Sequence, residues 1–389
     1  MNEAGRFALL TRVGTAPMND AVSTTWPIPL NDLSRGVLAD DEVTGAVERV
    51  VRSGWYLSGA EVAAFESEFA DYLGVRHVIG VANGTDALEL ALMALGGGPD
   101  GEVATVANAG GYASSAARRC GMDVRFVDVD DRDLLMTAQM LEAALTTRTT
   151  IVVVTHLYGK MAPISAICEL CRERDIAVVE DCAQAAGARA NGARAGSFAD
   201  IGAFSFYPTK NLGAIGDGGA VVTSDDRIAS RVRRLAQYGW GAKYRVAEGG
   251  GRNSRLDEIQ AAVLRVRLAR LDRLNRRRRE VVRRYADALL SSAAAMAQDG
   301  EDDYVAHLAV VRTPHRARLA AQLLARGVHT DVHYPVPDHW QKVVGDPRLR
   351  LPVTETASTQ VLSLPCFPDL EAEELEVVCA ALEDVAERP

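Results

Sequence analysis

The sequence has no long, uninterrupted hydrophobic run. No stretch reaches the about 20 apolar residues that a helix needs to cross a bilayer, so we expect no membrane partner. Residues 1–27 also lack the apolar core and the small-residue cleavage site of a secretory signal. We therefore predict a cytoplasmic protein in which residues 1–27 form an N-terminal extension with little structure.

Cysteine is scarce and forms no disulfide framework. Among six cysteines, Cys168 and Cys171 form a C-x-x-C, but a zinc site needs two further ligands, and no second pair exists. The surrounding residues 163–174 have helical spacing, so we interpret both as small residues on a helix face and predict no metal. Reduced thiols fit a cytoplasmic location.

Basic residues are fewer than acidic ones, and the formal net charge is -9. An acidic protein repels nucleic acid on average, so we expect no nucleic-acid partner. The basic run Arg276-Arg277-Arg278-Arg279 lies on the polar face of a helical pattern over residues 259–289. It is either a nucleic-acid patch or a solvated or interdomain helix face, and the overall charge favours the second interpretation.

The 389 residues, of which 48% are hydrophobic, are enough for two domains. From residue 77, short β-branched runs alternate with helical stretches, which is typical of a mostly parallel α/β sheet covered on both faces. The predicted strands cover residues 77–81, 102–106, 124–129, 150–155, 176–180, 201–206 and 220–223, and the predicted helices cover residues 86–95, 138–145 and 164–174.

After Asp257 the pattern changes. We predict one long helix or two abutting helices over residues 259–289, then a strand over 306–311 and helices over 316–326 and 371–385. These elements indicate a large domain over residues 28–270 and a smaller C-terminal α+β domain over residues 271–389.

Lys210 lies in the segment Ser205-Phe-Tyr-Pro-Thr-Lys210-Asn-Leu-Gly-Ala-Ile-Gly-Asp-Gly-Gly219, between a hydrophobic strand and a glycine cluster. Glycines allow the backbone to turn tightly and to approach a ligand closely. A desolvated lysine loses part of its proton affinity and becomes the free amine that forms imines. The alternative is a solvated surface lysine.

Asp181 lies in Glu180-Asp181-Cys182-Ala183-Gln184, at the end of an apolar strand. A carboxylate there is costly unless it is paired, and one suitable partner is the pyridinium nitrogen of pyridoxal phosphate (PLP). Gln184, three residues further on, can donate to the phenolic oxygen of that ring. The alternative for Asp181 is a helix N-cap. We interpret Glu180 as a flanking charge.

A third segment, Ala82-Asn83-Gly84-Thr85-Asp86, joins a strand to a helix. Free N–H groups at a helix N-terminus and the Thr85 hydroxyl form an anion site suited to a cofactor phosphate, to which Ser205 can add a hydroxyl. The alternative is a helix cap without a ligand.

In order and spacing, these three segments resemble the nucleotide-sugar aminotransferases, which have the type I PLP-dependent (aspartate aminotransferase) fold. The resemblance runs from about Pro29 to the C-terminus. Further matching stretches are Gly54-Trp-Tyr-Leu-Ser-Gly59, Phe65-Glu66, His156-Leu-Tyr-Gly159, Gly251-Arg-Asn-Ser-Arg255 with Leu-Asp-Glu-Ile-Gln260, His333-Tyr-Pro-Val-Pro337 and Leu362-Ser-Leu-Pro365.

The resemblance implies that Lys210 holds PLP as the Schiff-base residue and moves a proton between the amino acid's α-carbon and the cofactor. It places Asp181 at the pyridine nitrogen and Gln184 at the ring oxygen. Asn253 reaches the phosphate of the neighbouring subunit's cofactor, so the resemblance also implies a homodimer with shared active sites. The phosphate of the chain's own cofactor is bound by residues from two of the segments, Gly84, Thr85 and Ser205.

An aromatic residue stacks on the ring in this family, and we assign Tyr112 to that position. The segment before it is about two residues shorter than the family pattern, and a buried strand or loop tyrosine is the alternative. Lys243 and Arg252 are candidates for the substrate diphosphate or are solvated charges. Tyr207 and His333 are candidates for the wall of the sugar site.

Four stretches most resemble the branch that acts on dTDP-linked 3-keto-6-deoxy sugars: Tyr238-Gly-Trp240, Lys243-Tyr244, Asn253-Ser-Arg-Leu-Asp257 and His156-Leu-Tyr-Gly159. That branch supplies amino sugars such as desosamine for antibiotic biosynthesis. The resemblance implies transamination with glutamate as the amino donor, and the branch acting at C4 is an alternative.

Proteins of this fold also include some with different chemistry or none. Sugar dehydratases of this fold carry histidine in place of the lysine, so Lys210 argues against them. 3-Amino-5-hydroxybenzoate synthase keeps the lysine, but the sugar-branch stretches disfavour it. A non-catalytic sensor or pathway partner is disfavoured because Lys210, Asp181 and Gln184 are all present.

Overall fold

A computed structural model describes residues 28–37, 41–290, 292–342, 345–346 and 348–386. The extension predicted for residues 1–27 lies outside the described residues. Within the part of the chain that is described, no helix combines the length and the apolar character needed to span a bilayer.

The strands belong to one large sheet and three small ones. In chain order they are β1 (His77–Val81), β2 (Glu102–Val106), β3 (Asp123–Val127), β4 (Thr149–Thr155), β5 (Ala177–Asp181), β6 (Arg189–Ala190), β7 (Ala193–Arg194), β8 (Ile201–Ser205), β9 (Gly219–Thr223), β10 (Trp240–Ala242), β11 (Arg245–Val246), β12 (Ala295–Met296), β13 (Ala309–Arg312) and β14 (Val361–Leu364).

The large sheet has the order β1-β9-β8-β5-β4-β2-β3. Pairing is parallel from β3 through β8, whereas β9 runs antiparallel to both of its neighbours. This arrangement confirms the predicted mostly parallel sheet. The predicted strands of this sheet agree with the structure to within two residues, because their β-branched runs are buried on both faces.

Helices cover the large sheet on both faces. The helices of the described residues are α1 (Leu33–Val37), α2 (Asp41–Ser53), α3 (Ala60–Leu73), α4 (Gly84–Ala94), α5 (Tyr112–Arg119), α6 (Ala138–Ala144), α7 (Ile164–Arg172), α8 (Asp226–Leu235), α9 (Glu258–Leu268), α10 (Leu271–Ala288), α11 (Arg316–Leu324), α12 (Pro352–Gln360) and α13 (Ala372–Ala386).

Strand β4 shows how the two faces are filled. Val152 and Val154 pack into one buried cluster with side chains from α3 and α7, while Ile151 and Val153 pack into a second with α4 and α8. Successive side chains of a strand point to opposite faces, so a continuous apolar run feeds both cores.

A separate core lies in the C-terminal part, where α10, α11 and α13 pack against the antiparallel sheet β12-β13-β14. The helical pattern over 259–289 resolves into two helices, α9 and α10. The strand predicted over 306–311 begins later, at Ala309, because Ala306 has a left-handed backbone (φ 46°). We propose a domain boundary between residues 270 and 271, where α10 begins, although Ile28 also packs into this C-terminal core.

The arginine run on α10 is only partly solvated, since Arg276 is exposed and Arg277 is half-buried. Arg278 and Arg279 are buried. Arg278 donates to the carbonyl oxygen of Cys366 at 2.5 Å, and Arg279 donates to that of Tyr304 at 3.1 Å. These two side chains therefore fasten α10 to the C-terminal loops.

Candidate active site

A cavity of about 600 Å³ lies at the carboxyl ends of β1, β5 and β8. These strands all point in the same direction, so the loops that follow them meet at one edge of the sheet, where ligands collect in such folds. The three segments singled out in the sequence reach this cavity, and their side chains line it together with residues from the C-terminal part.

Lys210 lies in a loop that returns upon itself. The N–H of Phe206 donates to Gly218 O at 2.8 Å, and that of Ala214 donates to Phe206 O at 2.7 Å. A Cβ at Gly213 would lie 2.5 Å from the carbonyl oxygen of Pro208, so this turn needs glycine. Burial lowers the pKa of Lys210 to about 8, although the charge of Asp181 opposes the shift. The Lys210 amine is therefore partly unprotonated near neutral pH.

Asp181 ends β5 with its side chain against the cavity, and only 6% of the residue is exposed. Its carboxylate accepts hydrogen bonds from Ala183 N at 3.1 Å and Thr155 Oγ1 at 3.4 Å. Burial raises its pKa, while the Ala183 hydrogen bond and the charge of Lys210 oppose the rise. No described helix begins after it, so the helix-cap alternative is wrong.

Glu180 is fully buried, so interpreting it as a flanking charge is wrong. Its carboxylate accepts from the N–H groups of Gly196, Phe198 and Ala199 at 2.8–3.0 Å and lies 3.0 Å from His156 Nε2. His156 Nδ1 accepts from the N–H of Ala162, which places the ring proton at Nε2, facing Glu180. This pair fixes the loops behind Asp181.

The N-terminus of α4 forms the second side of the cavity. Asn83 caps the helix by accepting from Asp86 N at 2.8 Å, and the N–H groups of Gly84 and Thr85 have no protein partner within the described ranges. A Cβ at Gly84 would lie 2.6 Å from the Ser205 Cβ, so glycine allows β8 to approach the helix. Two backbone amides and the hydroxyls of Thr85 and Ser205 thus meet where an anion can bind.

The third side contains tyrosines. Tyr112 begins α5 after two glycines with φ of 80°, lines the cavity and is 50% exposed. Its ring lies edge-on to that of Tyr334, with centroids 6.4 Å apart. Gln184 joins this wall to β5, because its Oε1 accepts from Tyr158 N at 2.6 Å and its Nε2 donates to Tyr334 Oη at 2.7 Å.

Two of the predicted substrate residues line the cavity. Tyr207 is half-exposed there, and His333 contacts Ser363 Oγ through Nδ1 at 2.8 Å. Burial lowers the pKa of His333.

The other two predicted substrate residues lie outside the cavity of their own chain. Arg252 is ion-paired with Glu89 and Asp86 on α4, and these carboxylates hold it against the helix. Lys243 lies between β10 and β11, with its Nζ 5.2 Å from the centre of the Tyr244 ring. Within a single chain, the structure therefore does not support the prediction that Arg252 and Lys243 contact the substrate.

Asn253 also lies outside this cavity. It is exposed and lines a smaller pocket of about 280 Å³ with Leu57, Arg255 and Asp257. Asp217 lines both pockets, so the two are neighbours on the surface.

Sequence reasoning missed Tyr334 and His307. Tyr334 follows His333 in a stretch that the family resemblance already marked, so a signal was available. His307 belongs to no matched stretch, and only the packing of the C-terminal part brings it to the cavity.

Comparison with known proteins places this site in context. The DegT/DnrJ/EryC1/StrS aminotransferase family pattern matches residues 38–383. A dTDP-3-amino-3,4,6-trideoxy-alpha-D-glucose transaminase from Micromonospora megalomicea subsp. nigra is 42% identical over 354 residues, which cover 88% of this chain and 94% of the relative. A Streptomyces venezuelae protein of the same name is 43% identical, with coverages of 89% and 93%.

A solved structure also shows similarity to this group of enzymes. The crystal structure of S. venezuelae DesV in complex with a ketimine intermediate superposes with a TM-score of 0.89 at 41% identity, covering 93% of this chain and 99% of that one. The likeness confirms the fold class predicted from the sequence.

Proposed function

This chain belongs to the DegT/DnrJ/EryC1/StrS aminotransferase family and is an aminotransferase, and we propose that it uses PLP to move an amino group from glutamate to a dTDP-linked 3-keto-6-deoxy sugar. The observation that carries the proposal is the convergence of Lys210, Asp181 and the N-terminus of α4 on one cavity. Two relatives named for a dTDP-linked 3-amino sugar support the choice of substrate and a role in deoxyamino-sugar biosynthesis.

The side chains around the cavity fit PLP. The anion site of Gly84, Thr85 and Ser205 suits its phosphate, because unpartnered amides and hydroxyls bind phosphate oxygens without a cation. The buried Asp181 carboxylate suits a cationic ring nitrogen. On the other sides, Gln184 suits the ring oxygen and Tyr112 suits the ring face.

When bound, PLP supplies an electron sink that stabilises a carbanion at the carbon that loses its proton. Lys210 supplies the base: as a neutral amine, its Nζ would take the α-proton of glutamate in the first half-reaction and pass it to the cofactor. In the second half-reaction the same Nζ would take a proton back from the cofactor and deliver it to the sugar carbon that receives the amino group. The pKa of about 8 keeps both protonation states of Lys210 within reach near neutral pH.

Asp181 would face the ring nitrogen of bound PLP, whose positive charge would favour the ionised carboxylate. Glu180 and His156 hold it in place from behind, and Thr155 and Ala183 orient its carboxylate. Because these contacts form within the protein, the site needs little rearrangement when it binds its cofactor.

We also propose a homodimer with shared sites. Asn253 is exposed beside the active cavity and shares its pocket with Leu57, which is 44% exposed, and the rings of Trp55 and Tyr244 are 64% and 77% exposed. A two-fold partner covering this surface would bury these rings and bring Asn253 to the second cavity. In such a dimer, Lys243 would reach the substrate bound in the partner subunit's cavity. The cytoplasmic location stays a prediction.

A panel of dTDP- and UDP-linked 3-keto and 4-keto sugars tests the proposal. With glutamate present, we expect an amino product, identified by mass, from the dTDP-linked 3-keto sugar. Amination of 4-keto sugars alone would assign the enzyme to the C4 branch. A visible cofactor band that glutamate does not bleach would rule out glutamate as the amino donor.

A further inference from the structure

His307 is a buried histidine on the cavity wall. It lies just before β13, 7% of it is exposed, and it lines the cavity together with Lys210 and His333. The residues that bind the cofactor in the proposed function do not include it. Its position therefore raises the question of what its ring offers to a ligand.

Hydrogen bonds fix the protonation of the His307 ring. Asn211 donates through Nδ2 to the carbonyl oxygen of Val305 at 2.9 Å and to Asn275 Oδ1 at 2.8 Å. Its Oδ1 is therefore the atom that lies 3.0 Å from His307 Nδ1, and it acts as an acceptor. His307 must carry its proton at Nδ1, which leaves Nε2 with a free lone pair and without a protein partner in the described part of the chain.

The surroundings of His307 oppose a second proton. Burial lowers its pKa well below the usual value, and the positive charges of Lys210, Arg278 and His333 act in the same direction. Arg278 also donates to the His307 carbonyl oxygen at 3.4 Å, so its guanidinium stays close. The ring is neutral at physiological pH.

We propose that His307 is a specificity-determining residue whose Nε2 accepts a hydrogen bond from a hydroxyl of the keto sugar. A neutral nitrogen with only a lone pair suits an O–H donor, whereas it repels the oxygens of a carboxylate or a phosphate. It therefore distinguishes the sugar from glutamate, although both use the same cavity. This inference rests on the proposed function.

The test separates the two half-reactions of the holoenzyme. His307→Asn keeps a donor near Asn211 but removes the acceptor at Nε2, and His307→Gln places an amide oxygen near that position. For His307→Asn we expect kcat/KM for the dTDP-linked 3-keto sugar to fall about tenfold, mainly through KM, as for the loss of one hydrogen bond to substrate. Bleaching of the visible band by glutamate should slow far less.

Two comparisons sharpen the test. His307→Gln should recover part of the sugar kcat/KM, and His315→Asn, a change at an exposed histidine away from the cavity, should match the wild type. The intensity of the visible band reports whether each variant has folded and holds its cofactor.

The outcomes are distinct. Equal slowing of both half-reactions would show that His307 acts through Lys210, and an unchanged sugar half-reaction would show that no hydroxyl binds there. Either result overturns this inference alone. A wild-type enzyme that reacts with glutamate but aminates no sugar would instead overturn the proposed function, and the inference with it.

Discussion

Two sides of the cavity are built in different ways. On one side, Asp181, Ser205 and Lys210 lie at or shortly after the ends of strands in the large sheet. On the other side, His307 and Tyr334 come from loops of the C-terminal part, which only tertiary packing brings near. In the proposed function, the first side carries the cofactor chemistry, while the second faces the part of the cavity left for substrate. Mutations should therefore affect the first side far more strongly than the second.

Lys210→Ala should give the largest effect. The variant should lose turnover and the borohydride-reducible link to PLP, because no other amine among the described side chains lines the cavity. External PLP should still dock at the phosphate site, which cofactor titration can measure. Lys342→Ala, at an exposed lysine, is the matched control. A Lys210→Ala enzyme with near-normal rate would contradict the assignment.

Asp181→Asn should give the second largest effect. The amide keeps the shape but cannot hold the ring nitrogen protonated, so we expect kcat to fall at least about a hundredfold, roughly 2.7 kcal/mol of barrier. The change is nearly isosteric, so the melting temperature should stay close to that of the wild type. A loss in kcat below about threefold would mean that Asp181 only stabilises the backbone turn in which it lies.

Asn253→Ala tests whether the first side extends to a partner subunit. A hydrogen bond to a charged phosphate contributes roughly 1.5–3 kcal/mol, so PLP affinity should weaken about ten- to a hundredfold while Lys210 stays intact. Equilibrium titration of the apoprotein measures this change. Unaltered affinity would remove Asn253 from the cofactor site.

Mixed dimers show whether Asn253 acts across the interface. When Lys210→Ala and Asn253→Ala chains are combined, the remaining lysine belongs to the chain that lacks Asn253. If the asparagine acts in trans, the Lys210→Ala partner supplies it, and one of the two sites is restored. Mixed dimers should then recover up to half of wild-type activity at limiting PLP. Mixed dimers without recovery would contradict shared sites.

The Lys210 pKa predicts a pH dependence that belongs to the first side alone. Because burial lowers this pKa to about 8, the fraction of neutral amine rises with pH through that value. Reconstitution of the apoprotein with PLP should therefore be several-fold faster at pH 9 than at pH 7. Asp181 raises the pKa of Lys210, so Asp181→Asn should move the midpoint to lower pH. A flat profile between pH 7 and 9 would contradict a lowered lysine pKa.

The same contrast explains what could be predicted from sequence. Strands such as β1 and β2 agree with their predicted bounds because continuous apolar runs mark buried strands. Lys210 and Asp181 reach the cavity as expected because the strand ends place them there. Helix α5 was not predicted, since a short alanine- and serine-rich stretch after two glycines has little helical signal. Glu180 was misjudged because its partners, near residues 156 and 196–199, are distant in sequence.

Tyr334→Phe should have the smallest effect and tests the second side directly. The change removes the hydroxyl that accepts from Gln184 Nε2 at 2.7 Å but keeps the ring that stacks on Tyr158. One neutral hydrogen bond contributes about 1 kcal/mol, so kcat/KM should fall only about fivefold. Tyr285→Phe is a matched control: it loses a hydrogen bond to Pro365 O at 2.9 Å within the C-terminal core, so it should lower the melting temperature without changing kcat/KM. A hundredfold loss of kcat/KM in Tyr334→Phe would make the second side of the cavity as important as Asp181. The contrast between the two sides would then fail.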